Sequence, residues 1–149
     1  MKKKVFSVMA MCCSLALLAA ATVHAQLPGT TLRATIPFDF NVRGKTLPAG
    51  RYEIRRFGNE LDGLIIANIN DKHGKAMFET EPVEAKRRSS RSELVFHRYG
   101  DSYFLSEVFA GGEDTGRELV PSRQERTLLR EMASNGSKVQ PETVTLAAN

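Results

Sequence analysis

The amino-acid sequence predicts a mainly β chain, a single-domain antiparallel β-sandwich or small open barrel of about six to seven strands with one C-terminal helix. Three observations carry this. Apolar and polar residues alternate from Arg33 to Val42, the pattern of a strand with one buried face. Two β-rich runs, 92–99 and 102–110, flank Gly100-Asp101, a two-residue hairpin loop. One segment, near 122–134, carries helix start and stop signals together.

Residues 1–25 read as a cleaved export signal. Lysines follow Met1, residues 5–21 are almost wholly apolar, and Val23-His24-Ala25 places small residues where a signal peptidase reads them. The apolar run is at the short limit for crossing a bilayer and no stop-transfer pattern follows, so cleavage after Ala25 is expected rather than a retained anchor. Cys12 and Cys13 sit inside the run rather than at its end, which is not the lipoprotein pattern. Subtraction then changes the composition. The chain of 149 residues has 21 basic and 17 acidic side chains and two cysteines; without Lys2, Lys3 and Lys4, 18 basic groups face 17 acidic ones, and no cysteine remains. A structural disulfide, a cysteine nucleophile and a Cys-ligated metal are thereby excluded for the processed chain. Residues 26–32 are expected to be a flexible N-terminus and 33–149 one β-rich domain, with no transmembrane span after cleavage.

In the first strand Ala34, Ile36, Phe38, Phe40 and Val42 take every second position, and Pro37 marks an edge or a bulge. Leu47-Pro48-Ala49-Gly50 is a turn in which proline presets φ and glycine supplies a left-handed exit. A second strand runs through Tyr52 and Ile54 to about Phe57, where Gly58-Asn59 breaks it. The third, over 64–69, is apolar on both faces and so central. Asn70-Asp71-Lys72-His73-Gly74 is the next turn, and 76–85 a fourth strand with Met77, Phe78 and Val83, weakened at Pro82.

Glycine first in the Gly100-Asp101 loop fits a type II′ turn. That register sets Tyr99 against Ser102, Arg98 against Tyr103 and Phe96 against Leu105. Leu94, Phe96, Leu105 and Phe109 then share one face with Arg98 and Tyr103; Val95, His97, Tyr99, Phe104 and Val108 share the other. Both faces are apolar enough to need a cover. The helix is one cover: Ser122 is its N-cap, Glu125 completes a capping box, Leu128, Leu129 and Met132 line one side, and Asn135-Gly136 stops it. A short last strand near 143–146 ends the order.

Candidate chemistry is sparse. His73 and His97 are the histidines left after export, one in a turn and one in a strand, and neither has a second ligand at zinc spacing. Asn68, Asn70 and Asp71 suggest a calcium loop, but Lys72 stands where an oxygen ligand is required. The local set for nucleophilic catalysis is His97 with Asp101 and Ser102 or Ser106, and no G-x-S-x-G elbow accompanies it. No phosphate-cradling glycine motif occurs either. Gly111-Gly112-Glu113-Asp114 starts like the GGDEF signature of diguanylate cyclases but departs at Thr115, and a turn is the better account. No catalytic residue, metal ligand or cofactor is assigned on this basis.

Two places remain for binding. Lys86-Arg87-Arg88-Ser89-Ser90-Arg91 concentrates cations between two strands. It is either a solvated loop whose charge keeps an edge from pairing, or a seat for an anionic envelope or extracellular partner. Aromatics are not interleaved with it, so nucleic acid is not expected. The second place is the Arg98/Tyr103 end of the hairpin, with Arg117 and Glu118 expected nearby. There, Arg98 stacked on Tyr103 as a cross-strand cation–π pair is the simpler account.

Ile36-Pro37-Phe38-Asp39-Phe40, Leu47-Pro48-Ala49-Gly50-Arg51-Tyr52 and Leu94-Val95-Phe96-His97-Arg98-Tyr99-Gly100-Asp101 with Tyr103-Phe104-Leu105 resemble a group of small exported bacterial β-domain proteins. Gly116-Arg117-Glu118-Leu119 and Ser122 to Arg126 fit the same pattern. The resemblance covers about 34–133 and implies an exported β-domain, but no activity, ligand or catalytic residue. Leu-Pro-Ala-Gly-x-Tyr is also similar to the turn entering a strand in prealbumin-like and Cna-B-like surface modules. The expectation is thus a non-enzymatic exported protein, periplasmic or extracellular, acting by binding or structural association. The alternatives are a barrel carrying an apolar ligand, which requires a cavity of roughly 300 Å³, and a hydrolase, which requires a cleft at His97 with a carboxylate in reach.

Overall fold

The long alternation at the start of the domain is two strands in two different sheets. In the computed structural model, which describes residues 31–57, 63–134 and 140–149, β1 (Leu32–Ile36) ends at Pro37 and β2 (Phe40–Val42) begins after Asp39. Proline has no N–H to give a ladder, and Asp39 Oδ1 accepts from the backbone N–H of Ala49 at 2.8 Å. The chain therefore bends while the alternation continues. Leu32, expected in the flexible N-terminus, already belongs to β1 and is buried. The export signal, the Gly58-Asn59 break and the Asn135-Gly136 helix stop lie outside the described residues.

A hairpin not expected from the sequence follows. Arg43 and Gly44 both have positive φ, 50° and 86°, the requirement of a type I′ turn, and they join β2 to β3 (Lys45–Leu47). Gly50, at the start of β4 (Gly50–Arg56), is not in the left-handed region as expected. A Cβ there would lie 2.6 Å from Asn68 Nδ2, so a larger residue would have to displace that side chain. Tyr52, fully buried, donates from its hydroxyl to Pro48 O at 2.6 Å and so ties the turn to the strand.

β5 (Gly63–Asn68) lies between β4 and β6 (Lys75–Glu79), as its two-faced apolar run predicts. The expected fourth strand is again two. The chain leaves β6 at buried Thr80 and enters β7 (Glu81–Glu84) in the other sheet. Next come β8 (Ser92–Tyr99), β9 (Ser102–Phe109), the unanticipated β10 (Thr115–Glu118), the helix α1 (Arg123–Ser134) and β11 (Glu142–Ala148).

The fold is mainly β, a sandwich of two sheets with one C-terminal helix. The sheets are ordered β1-β4-β5-β6 and β11-β8-β9-β10-β7, with β2 bridging to β9 in parallel at Asn41 and Phe104. They do not close into a barrel. Two backbone bonds between Arg33 and Asn149, 2.7 and 2.9 Å, stitch one side, and the Thr80 corner joins the other. Between the sheets Ile36, Phe40, Tyr52, Ile54, Ile66, Leu94 and Phe96 pack as one cluster, with Phe40 edge-on to both Tyr52 and Phe96. Among the described residues, the opening beside Arg117 that reaches core residues such as Ile54 and Val108 holds about 50 Å³.

Candidate functional site

The site is built on the outer face of the second sheet, where β8 and β9 form the expected hairpin. Tyr99 opposes Ser102, Arg98 opposes Tyr103 and Phe96 opposes Leu105. Gly100 has φ 59° while Asp101 is not in the positive region, which is the type II′ pattern. Beyond Phe96 the register shifts. Val95 opposes Glu107, so Ser106 is an extra residue, a β-bulge. One extra residue exchanges the faces of everything after it. Val108, expected outside, packs in the core, and Phe109, expected inside, lies on the outer face.

The bulge also aims Ser106 at His97. Ser106 Oγ is 3.3 Å from His97 Nε2, and His97 Nδ1 is 3.5 Å from Glu125 Oε1 on α1. Tyr99 donates to the same Oε1 at 3.2 Å. Burial first, and then the charge of Glu125 and its hydrogen bond, push the Tyr99 hydroxyl up to about 12. Glu125 therefore does not close the expected capping box. Ser122 Oγ does accept from the Glu125 N–H at 3.1 Å, but the carboxylate turns down onto the sheet. The helix buries this glutamate at 5% exposure, while Leu128, Leu129 and Met132 are only half-buried.

A serine, a histidine and a carboxylate in that order invite comparison with a catalytic triad. Here the serine is the buried partner, at 5% exposure, and does not line the groove that His97 borders. Its carbonyl accepts from the Leu119 N–H, just past β10, at 2.7 Å, and the serine sits inside β9 rather than on a strand-to-helix elbow. Asp101, the acid of the sequence-based set, is exposed in the turn. The carboxylate near His97 is Glu125, and no sequence spacing pointed to it. What the array does is tie β9, β8 and α1 together around a buried charge, which requires such partners.

Beside His97 the outer face is open. A groove of about 220 Å³ runs from the histidine to the loop that carries Lys86 and Arg87. Val83, Val95 and Phe109 line it with Thr143 and Thr145 of β11, and four carboxylates, Glu84, Glu93, Glu107 and Glu113, lie along it. The Phe109 ring packs against Gly116, where an added Cβ would be 2.3 Å from it. Glu107 also opposes Glu118 on β10, and Glu118 opposes Glu81 on β7. Opposed residues on neighbouring strands share a face, so three carboxylates stand in a row, an unfavourable pairing.

The basic run is largely neutralised in place. Arg88 makes a two-pronged pair with Asp114, Nε to Oδ1 at 2.7 Å and Nη2 to Oδ2 at 2.6 Å, which holds the Asp114 carboxyl below its usual range. Arg87 is 3.7 Å from Glu93. Backbone and hydroxyl bonds from Gly112 to Ser89 and from Gly111 to Ser92 fix the loop against the β9–β10 turn. Lys86 and Arg91 make no ion pair among the described residues.

At the hairpin end Arg98 sits 5.4 Å from the Tyr103 ring centroid, as expected, and pairs with Glu142 at 3.2 Å. Tyr103 in turn stacks on Phe38 at 3.8 Å. Arg117 and Glu118 are not near this end: they oppose Val108 and Glu107, well along β9. His73 is exposed in its turn. Phe57, Met77 and Val120 line a second depression, of about 690 Å³. Its cation Arg43 already donates to Val120 O at 3.2 Å.

Among the described residues no group of three or more His, Cys, Asp or Glu side chains is placed to hold a metal, and no helix is long and apolar enough to cross a membrane. No protein-family model, curated protein or solved structure matches the chain.

Proposed function

We propose that the chain is exported, processed after Ala25, and acts in the bacterial envelope or outside the cell by non-covalent association, with the outer face of the second sheet as its contact surface. The observation that carries this reading is the groove. Its apolar residues Val83 and Phe109 are only half-buried, over a buried Val95, beside a helix that covers the other end of the same face. Apolar surface rimmed by charge is what association surfaces offer. The residues nearest to a catalytic set support the same reading, since Ser106, His97 and Glu125 are engaged with one another around the docked helix. An anionic partner at Lys86, Arg87, Arg88 and Arg91 has less to support it, because Arg87 and Arg88 already have carboxylate partners.

The test is native mass spectrometry of the protein purified from its own envelope fraction. The expected spectrum shows the chain beginning at Gln26 and a species heavier than one such chain. A bare single chain at all loadings, or ester hydrolysis abolished by Ser106→Ala, overturns the reading.

A further inference from the structure

We propose that this surface takes a second copy of the same chain, in a two-fold arrangement that lays the basic loop of each copy on the acidic row of the other. The inference rests on the outer face being a contact surface, and it names the partner. Two opposite and unsatisfied charge groups flank one apolar floor. On one side are Glu107 and Glu118, half-buried, opposed in register and without an ion pair among the described residues, with Glu81 next in the row. On the other is Lys86, which lines the groove, exposed and without an ion pair among the described residues, with Arg91 exposed at the end of the same loop; the loop's other two arginines are committed to Glu93 and Asp114, and Glu84 and Glu113 line the groove beside Lys86. Val95 and Phe109 lie between.

An anionic partner would satisfy the loop and leave the carboxylates repelling each other. A cationic one would do the reverse. A second copy supplies both at once, because a two-fold interface repeats each contact with the partners exchanged: residue i meets j, and j meets i. The axis would pass over Phe109, between loop and row. Size sets the strength. The eight-residue strands β8 and β9 span roughly 26 Å at about 3.3 Å per residue, and five strands span about 20 Å. Because the helix covers one end of this face and β10 and β7 are four residues each, two such faces bury less than about 1,000 Å², in the range of weak, transient contacts. The expected dimer is therefore weak and salt-sensitive, with a dissociation constant in the micromolar range.

Sedimentation equilibrium of the processed chain, from about 1 to 500 μM at low and high salt, tests this. The expected result is a reversible dimer whose dissociation constant rises about tenfold or more between roughly 50 and 500 mM salt. Glu107→Lys with Glu118→Lys, and separately Lys86→Glu with Arg91→Glu, should each be monomeric while keeping the wild-type circular dichroism and melting midpoint. An equimolar mixture of the two folded variants should recover the dimer, since each then offers what the other lacks. A monomeric wild type, a dimer indifferent to both reversals, or a mixture that stays monomeric overturns the inference. A monomer in solution alongside a heavier non-self species from the envelope would overturn the second copy and leave the contact surface standing; absence of both removes both.

Discussion

Replacing Glu125 with alanine should loosen the helix from the sheet without touching the sandwich core. Glu125 is the charged side chain in the buried set of the described residues, at 5% exposure, and it accepts from Tyr99 Oη at 3.2 Å with His97 Nδ1 at 3.5 Å. A hydrogen bond to a charged acceptor contributes about 1.5–3 kcal/mol, and its loss leaves a buried hydroxyl without a partner. The longer histidine contact adds little, so the expected loss is about 2–3 kcal/mol. For a domain of this size that lowers the melting midpoint by roughly 6–12 °C. Glu125→Gln keeps an oxygen for Tyr99 and should lose about 1 kcal/mol. It also removes the charge that raises the Tyr99 hydroxyl, whose ionisation should fall from about 12 but stay above 10, because burial is the larger cause. Thermal melts and absorbance at 295 nm against pH, with Tyr99→Phe to assign the titration, read both effects. An alanine variant melting within about 2 °C of wild type, or a tyrosine titration unmoved in the glutamine variant, would refute the anchoring role.

Three further outcomes are expected. Gly116→Ala drives a Cβ to 2.3 Å from the Phe109 ring and 2.9 Å from Val108 O; it should cost about 1–3 kcal/mol by overpacking, and an unchanged urea midpoint would place Phe109 elsewhere. Alkali should destabilise the fold from about pH 10 upwards. Tyr99 and Tyr52 are both raised, chiefly by burial, so the folded chain keeps protons that the unfolded chain has already lost. Tyr99→Phe should flatten that decline, and an unchanged slope contradicts it. Arg88→Ala should let the Asp114 carboxyl return upward to the ordinary range, read by carbon-13 NMR titration, with little change in melting because both partners are exposed, at 70% and 65%.

Local chemistry was legible and long-range choices were not. Alternation and turn residues fixed the hairpin register through Gly100-Asp101, because both depend on neighbours in sequence. The same alternation runs unbroken across Pro37, where the chain changes sheets, since a residue facing the core does so from either layer, and the change of sheet at Thr80 carries no turn residue to mark it. The Ser106 bulge was invisible for a related reason. Phe109 and Val108 are both apolar, and only the partner strand decides which of them turns inward. Glu125 carried a clear local signal, the third residue of a capping box, and tertiary structure used it otherwise by offering the Tyr99 hydroxyl. The basic run was plain in sequence, but the carboxylates that neutralise much of it, Asp114 and Glu93, are not marked by any spacing.

The contact surface is tested most directly by site-specific photo-crosslinking in the intact cell. A photoreactive residue at Thr145, exposed on the groove wall, should trap an adduct heavier than the chain, and one at Arg51, exposed on the outer face of the other sheet, should not. Adducts at Arg51 and none at Thr145 would contradict the account.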